Sequence, residues 1–259
     1  MELLISAFHT ILYQPLFNAL ILLYQYLPGH DFGIAVIVLT ALIRIILYPL
    51  MVKSIKSQKI LAGLQPKIQE IQQKYKDDKG KQSREMMMLY QKEKINPFGG
   101  CLPLLIQLPI LIALYRVFWQ GLRPEEMANL YSFVPNPGAI DPTFFGIINL
   151  AEASLGLAVL AGILQFFQTK MLTLPAAVKT AKKKDQMSQF SGMMQKQMLY
   201  FFPIFTVFIL WKLPSAIGLY WIITSLFSIG QQYLIFKPHT PGEKPSASYG
   251  TGKSLPSEK

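Results

Sequence analysis

Five long apolar segments recur along the chain and limit what it can fold into. A helix rises about 1.5 Å per residue, so about 20 apolar residues cross the hydrocarbon core of a bilayer. The predicted spans are residues 33–52, 98–120, 153–171, 198–213 and 214–236. With 51% hydrophobic and only 15% charged residues, the chain is too apolar for an ordinary soluble domain. The sequence therefore predicts an all-α polytopic membrane protein.

The first 32 residues are apolar but carry a polar stripe. Gln14, Asn18 and Gln25 fall on one face of a helix, at offsets of four and seven, and Pro15 divides the segment. We expect residues 1–32 to form an amphipathic helix that lies in the outer membrane interface. The alternative is that this segment also spans, which would invert every later segment.

Basic residues concentrate in alternate connections between the spans. Residues 53–97 carry eleven basic and five acidic residues. The loop 172–197 and the tail 237–259 are also net basic, whereas the loop 121–152 is net acidic. The positive-inside rule places the basic segments in the cytoplasm and the amino terminus outside. Topology thus accounts for the net charge of +11, and we expect no nucleic-acid specificity.

The cytoplasmic segment 53–97 shows helical periodicity in two stretches, which are separated by the polar turn KDDKGK. It is predicted to form a helical hairpin. Its charge is typical of a solvated coiled-coil face, or of a moving cap that touches lipid headgroups or an incoming chain. The tail 237–259 is rich in Pro, Ser, Gly and Lys, so we expect it to be disordered.

Arg44 lies alone near the middle of the first predicted span. A central arginine costs about 2.5 to 3.5 kcal/mol on insertion scales, so it normally faces a partner or water. The five predicted spans contain no Asp or Glu that could neutralise it. Water in a cavity is the partner we expect, and backbone carbonyls or a second subunit are the alternatives.

Other polar side chains of the spans cluster at mid-depth or in the inner half. They are Thr40, Gln107, Gln165, Gln168, Trp221, Thr224, Ser225, Ser228, Gln231 and Gln232. We expect them to line a hydrated groove that is open to the cytoplasm and closed outside. Ser, Thr and Gln can instead simply join helices, at about 0.6 kcal/mol each. A groove with one positive charge would lower the free-energy cost of carrying a polar peptide segment into the membrane. An apolar segment could at the same time leave the groove sideways into the lipid. Those properties are typical of a membrane protein insertase.

Several stretches resemble the bacterial YidC family in the same order. They are PLFN, TALIRIILYPL around Arg44, QPKIQEIQQKYKDDK, NPFGGCLPLLIQLPILIALYRVF from Asn96, LAGILQFFQTKM from Leu160, MLYFFPIFTVFILWKLPSAIGLYW from Met198 and IGQQYLI from Ile229. The resemblance implies an insertase and foldase with five core spans, an outer interfacial helix, a mobile cytoplasmic hairpin and a groove arginine at Arg44. We expect the short form of the family, without a large periplasmic domain, in a bacterial plasma membrane.

The resemblance also implies site residues and partners. Thr40, Tyr220 and Trp221 match positions where the family places groove or substrate-contacting side chains, and Gln165 is a further match. The implied substrates are nascent membrane proteins, handled alone or beside the Sec translocon. Membrane lipids and, through the basic loops and tail, the ribosome are additional expected partners. The expected groove residues are Arg44, Thr40, Gln107, Gln165, Tyr220, Trp221, Thr224 and Ser228.

Other classes of function fit the sequence less well. An intramembrane hydrolase needs a nucleophile and a base at membrane depth, yet His9, His30 and His239 all lie outside the predicted spans. We expect no catalytic residues, no metal and no cofactor. A solute transporter or channel is the main alternative, since intramembrane polar residues also line solute pathways. A purely structural assembly factor would tolerate loss of the Arg44 charge.

Overall fold

The computed structural model describes residues 2–93, 96, 102–121, 123–172 and 197–236, which are mostly helical. The helices are α1 (Glu2–Phe8), α2 (Gln14–Tyr26), α3 (Phe32–Ile46), α4 (Tyr48–Lys74), α5 (Lys79–Lys92), α6 (Leu102–Gln120), α7 (Leu155–Leu172), α8 (Phe202–Leu210) and α9 (Ser215–Phe236). Two short strands, β1 (Thr143–Phe144) and β2 (Ile148–Asn149), pair antiparallel. The predicted break at 97–100, nearly all of the loop 172–197 and the tail 237–259 lie outside the described residues.

Two prolines are accommodated by π-helical turns rather than by breaks in a helix. The π-helical turn His9–Tyr13 joins α1 to α2 just before Pro15, and the turn Gln197–Phe201 leads into α8 just before Pro203. Proline lacks an N–H and clashes with the carbonyl four residues earlier. A π-helical turn is wider than an α-helical one and removes this clash with the carbonyl. Pro15 therefore does not divide the first helical segment.

The polar stripe of α2 contacts the connection between α6 and α7. Gln14 Nε2 and Asn18 Nδ2 donate to the carbonyl oxygen of Asn129 at 3.2 and 3.1 Å. Gln25 Nε2 donates to the carbonyl oxygen of Pro135 at 2.7 Å. The stripe that predicted an amphipathic helix therefore binds the backbone of a distant loop. Ile5–Tyr26 is also long and apolar enough to cross a membrane, so the interfacial position stays a prediction.

Replacing Asn18 with leucine is expected to destabilise the protein by about 1 to 3 kcal/mol, the cost of leaving buried hydrogen-bonding groups without partners. Asn18 also accepts a hydrogen bond from the backbone N–H of Tyr131 at 2.7 Å. Thermal unfolding in detergent measures the change. Thr10→Val is the control, because Thr10 is an exposed polar residue of the same helical segment. Equal melting temperatures for the two variants would contradict a stabilising role for the hydrogen bonds of Asn18.

The first predicted span is bent. Asp31 caps α3, since its side chain accepts from the N–H of Ile34 at 2.8 Å. The helix ends at Ile46, and α4 leaves at an angle of 67°. Pro49, in the first turn of α4, cannot donate the hydrogen bond that a continuous helix needs. Residues 48–52 of the predicted span therefore belong to α4, which packs against α5 as a helical hairpin.

Helix α9 lies at the centre of the bundle and packs against α3 and α7. Its amino end is fixed by the connection between α6 and α7, because the N–H groups of Ser215 and Ala216 donate to the carbonyls of Glu152 and Leu150. Helix α8 packs on α7, where Gly162 lies so near Val207 that a Cβ would overlap with it. Helix α6 packs against α2 and α9.

Three of the described helices are long and apolar enough to cross a membrane, namely Ile5–Tyr26, Leu155–Leu172 and Ser215–Phe236. The bent pair α3 and α4 makes a fourth if it counts as one span. Leu105–Gln120 and Leu199–Leu210 are apolar but shorter. The all-α multi-span class holds for the described residues, and the number of five spans stays a prediction.

Candidate functional site

A cavity of about 590 Å³ lies between α3, α4, α6, α7, α8 and α9. Its lining on α9 runs from Ile217 to Gln232, which is about 22 Å along the helix axis. Leu213 and Ile217 line the end near the start of α9, whereas Gln231 and Gln232 line the other end. The cavity therefore extends along most of the bundle and is more polar at one end.

Arg44 points from α3 into this cavity. Its side chain is only 6% exposed, and its Nη2 donates to the carbonyl oxygen of Thr224 at 2.8 Å and to Ser228 Oγ at 2.7 Å. A backbone carbonyl, one of the alternatives considered from the sequence, is thus a partner. Arg44 Nε has no hydrogen-bond partner among the described residues. Within that part of the chain, no carboxylate pairs with the guanidinium, so the wall keeps an unneutralised positive charge.

Polar pairs also connect α9 to α6 and α7. Gln107 Nε2 of α6 donates to the Tyr220 hydroxyl. Trp221 Nε1 donates to Gln165 Oε1 of α7 at 3.2 Å. Together with the hydrogen bonds of Arg44, these pairs join α3, α6 and α7 to α9 around the cavity.

The structure brings six of the eight expected groove residues to the cavity wall. They are Arg44, Gln107, Gln165, Trp221, Thr224 and Ser228. Thr40 and Tyr220 lie behind the wall, with exposures of 1% and 2%. The Thr40 hydroxyl donates to the carbonyl oxygen of Val36, and the Tyr220 hydroxyl accepts from Gln107, which lines the cavity. In this structure, Thr40 and Tyr220 do not line the cavity, and their role in contacting a substrate stays a prediction.

Further polar residues line the cavity. Gln168, Ser225, Gln231 and Gln232 belong to stripes that the sequence showed, whereas Gln58, Thr169 and Thr206 were missed. Gln58 was missed because it lies in the predicted cytoplasmic hairpin. Met51, Ile55 and Gln58 recur at offsets of four and seven, and this continuation of a helical stripe past the first span was the available signal.

Several polar atoms near the wall have no hydrogen-bond partner in the described part of the chain. They are Arg44 Nε, Ser225 Oγ, both amide atoms of Gln231, and Gln232 Oε1. Leaving a buried polar group without a partner costs about 1 to 3 kcal/mol. This side of the cavity therefore favours water or a polar guest over lipid chains.

Comparison with known proteins assigns the family. The sequence model of the family described as 60Kd inner membrane protein matches residues 22–243. The chain belongs to the 60Kd inner membrane protein family. This match includes all the helices that line the cavity and confirms the resemblance to YidC. Membership in the 60Kd inner membrane protein family, with the long apolar helices, makes the chain a bacterial multi-pass membrane protein.

Several relatives carry the name membrane protein insertase YidC. The protein of Fusobacterium nucleatum is 38% identical over 207 residues, which cover 80% of this chain and 87% of the relative. The proteins of Wigglesworthia glossinidia brevipalpis and Syntrophus aciditrophicus are 36% and 34% identical and are matched over 86% of this chain. The match spans only 36% of the length of each of these two relatives.

Proposed function

We propose that this protein inserts nascent membrane proteins into the bilayer by way of the cavity around Arg44. The name shared by its relatives, membrane protein insertase YidC, supports the class of function. The observation that carries the mechanism is the position of Arg44. It places one positive charge, without a carboxylate partner among the described residues, on the wall of a cavity inside an apolar bundle.

The polar and apolar residues of the cavity lining suit the two parts of a membrane protein. Arg44 and the glutamines reduce the cost of desolvating a polar or acidic segment of an incoming chain. The cavity lining also includes the apolar side chains of Leu108 and Ile112 from α6 and of Phe202 and Phe205 from α8. An apolar segment moves from water to these side chains and then into lipid. It therefore leaves the cavity sideways while the polar segment crosses the membrane.

The proposed orientation follows the charge pattern of the sequence, with the amino terminus outside and the α4–α5 hairpin in the cytoplasm. The hairpin surface carries exposed basic residues, among them Lys56 and Lys81, and these support contact with anionic headgroups. We include the Sec translocon and the ribosome as proposed partners on the basis of the YidC resemblance and the basic cytoplasmic segments.

Site-specific photocrosslinking tests this path. A photoreactive residue at Phe205 or Ile112, which line the cavity, is expected to capture an arrested single-span client several-fold more efficiently than one at Val159. Val159 is the control because it lies exposed on α7 outside the cavity lining. Equal capture at all three positions would show that the client does not use the cavity.

A further inference from the structure

The β1–β2 hairpin ends in an apolar tip. Its register pairs Thr143 with Asn149 and Phe144 with Ile148, and the N–H of Ile147 donates to the carbonyl oxygen of Phe144 at 3.0 Å. The tip residues Phe145 and Ile147 are 66% and 84% exposed. The sequence from 143 to 149 contains no charged residue. The hairpin thus presents two large apolar side chains away from the protein.

The backbone of this tip is unfavourable for the residue that occupies it. Phe145 and Gly146 both have positive φ, 51° and 66°, as the central residues of a type I′ turn require. Glycine, asparagine and aspartate suit such positions, and bulky residues do not. A phenylalanine here costs turn stability, and although its ring contacts the Phe144 ring at a centroid distance of 4.5 Å, the residue stays 66% exposed. Most of its surface is therefore available to a surrounding apolar medium.

The hairpin is fixed beside the ends of two helices of the bundle. The N–H of Phe145 donates to Asp31 Oδ2, and Asp31 also caps α3. The Phe144 ring packs against the first turn of α3 so closely that Gly33 has no room for a Cβ. The hydroxyl of Ser215, at the start of α9, donates to the carbonyl oxygen of Asn149. The tip therefore lies level with the amino ends of α3 and α9.

We propose that Phe145 and Ile147 insert into the headgroup region of the outer leaflet and anchor this end of the bundle to the lipid. The inference rests on the proposed topology, in which α3 and α9 both begin at the outer surface. Lipid fits better than a protein partner because the tip is small and uncharged and lies where an apolar helix begins. Aromatic and apolar side chains at that depth bind the boundary between headgroups and acyl chains.

Spin labels in the full chain, reconstituted in nanodiscs of phosphatidylethanolamine and phosphatidylglycerol, test the proposal. Cys101 is the only cysteine, so labels are placed one at a time in a Cys101→Ser background by Ile147→Cys, Asn136→Cys or Ile163→Cys. Asn136 is an exposed polar residue of the same outer loop, and Ile163 is exposed on α7. Collisions with oxygen report lipid, whereas collisions with a nickel chelate report water.

We expect a ratio of oxygen to nickel collisions several-fold higher at 147 than at 136, and a still higher ratio at 163. A nickel-accessible label at 147, equal to that at 136, would overturn the anchor if the label at 163 remains in lipid. Protection of 147 from both reagents would also overturn it, since a protein surface would then cover the tip. A water-accessible label at 163 would instead refute the membrane placement on which the proposed function depends.

The variant Phe145→Asn separates anchoring from folding. Asparagine suits the positive φ of position 145, so the hairpin keeps its turn and loses the aromatic ring. In this background the label at 147 is expected to gain nickel collisions while the melting temperature is unchanged or higher. An unchanged collision ratio at 147 would show that Phe145 does not hold the tip in lipid.

Discussion

Replacing Arg44 with alanine is expected to slow insertion of a single-span client with an acidic translocated tail by about 10- to 100-fold. A hydrogen bond to a charged group contributes about 1.5 to 3 kcal/mol, and each 1.36 kcal/mol is about tenfold in rate. The guanidinium is buried on the cavity wall and has no carboxylate partner among the described residues. A passing carboxylate would therefore meet an available charge. Insertion into proteoliposomes from a purified translation system measures the rate.

Three further variants separate charge from structure. Arg44→Lys keeps the positive charge, so it is expected to retain most of the activity. Arg44→Gln keeps a donor for the carbonyl oxygen of Thr224 but loses the charge, so its insertion rate is expected to be as low as that of Arg44→Ala. Arg123→Ala is the control, since Arg123 is exposed in the connection between α6 and α7. Normal insertion by folded Arg44→Ala and Arg44→Gln would refute the attraction of an acidic client segment by the Arg44 charge. Insertion would then depend on hydration of the cavity.

Replacing Gly162 with alanine is expected to lower stability by about 1 to 3 kcal/mol, the usual cost of overpacking. The added methyl group would overlap with Val207 Cγ2 and lie 3.1 Å from the carbonyl oxygen of Pro203. Both belong to α8, so α8 must move away from α7. Because α7 and α8 both line the cavity, the same variant is expected to reduce insertion. Thermal unfolding in detergent and the proteoliposome assay measure the two effects.

Gly156→Ala is the matched control on the same helix. A Cβ at Gly156 would meet only Ser154 Oγ, at 3.9 Å. Since alanine has a higher helix propensity than glycine by about 1 kcal/mol, this control is expected to be neutral or stabilising. A melting temperature for Gly162→Ala at or above that of Gly156→Ala would show that α7 and α8 do not pack as the structure indicates.

Much of the cavity could be predicted because one helix carries a regular pattern. Trp221, Thr224 and Ser228 recur at helical spacing, so their common face follows from periodicity alone. Arg44 was identifiable because a solitary charge in an apolar segment needs a partner. Thr40 lies four residues before Arg44 and was expected in the groove, yet its hydroxyl is bonded within α3 and it does not line the cavity. Spacing predicts a shared face but not how deeply each side chain lies.

Contacts between segments far apart in the sequence could not be predicted. The stripe of Gln14, Asn18 and Gln25 has the same periodicity whether it faces water or a loop. Its partners lie 110 to 115 residues away, and nothing local distinguishes the two cases. Likewise, Pro49 indicates a disturbed helix, but the angle of 67° between α3 and α4 depends on what packs around the bend. That angle brought Gln58 to the cavity.

The bend after Ile46 makes α4 a lever. Gln58, at the cavity, lies about 16 Å along the helix from the bend, and Lys74 lies about 40 Å from it, at 1.5 Å per residue. For a rigid α4, a displacement at the Lys74 end would be reduced about 2.5-fold at Gln58, and the force would be multiplied by the same factor. A weak pull on the far end of the hairpin would thus act with mechanical advantage on the part of the cavity that Gln58 lines.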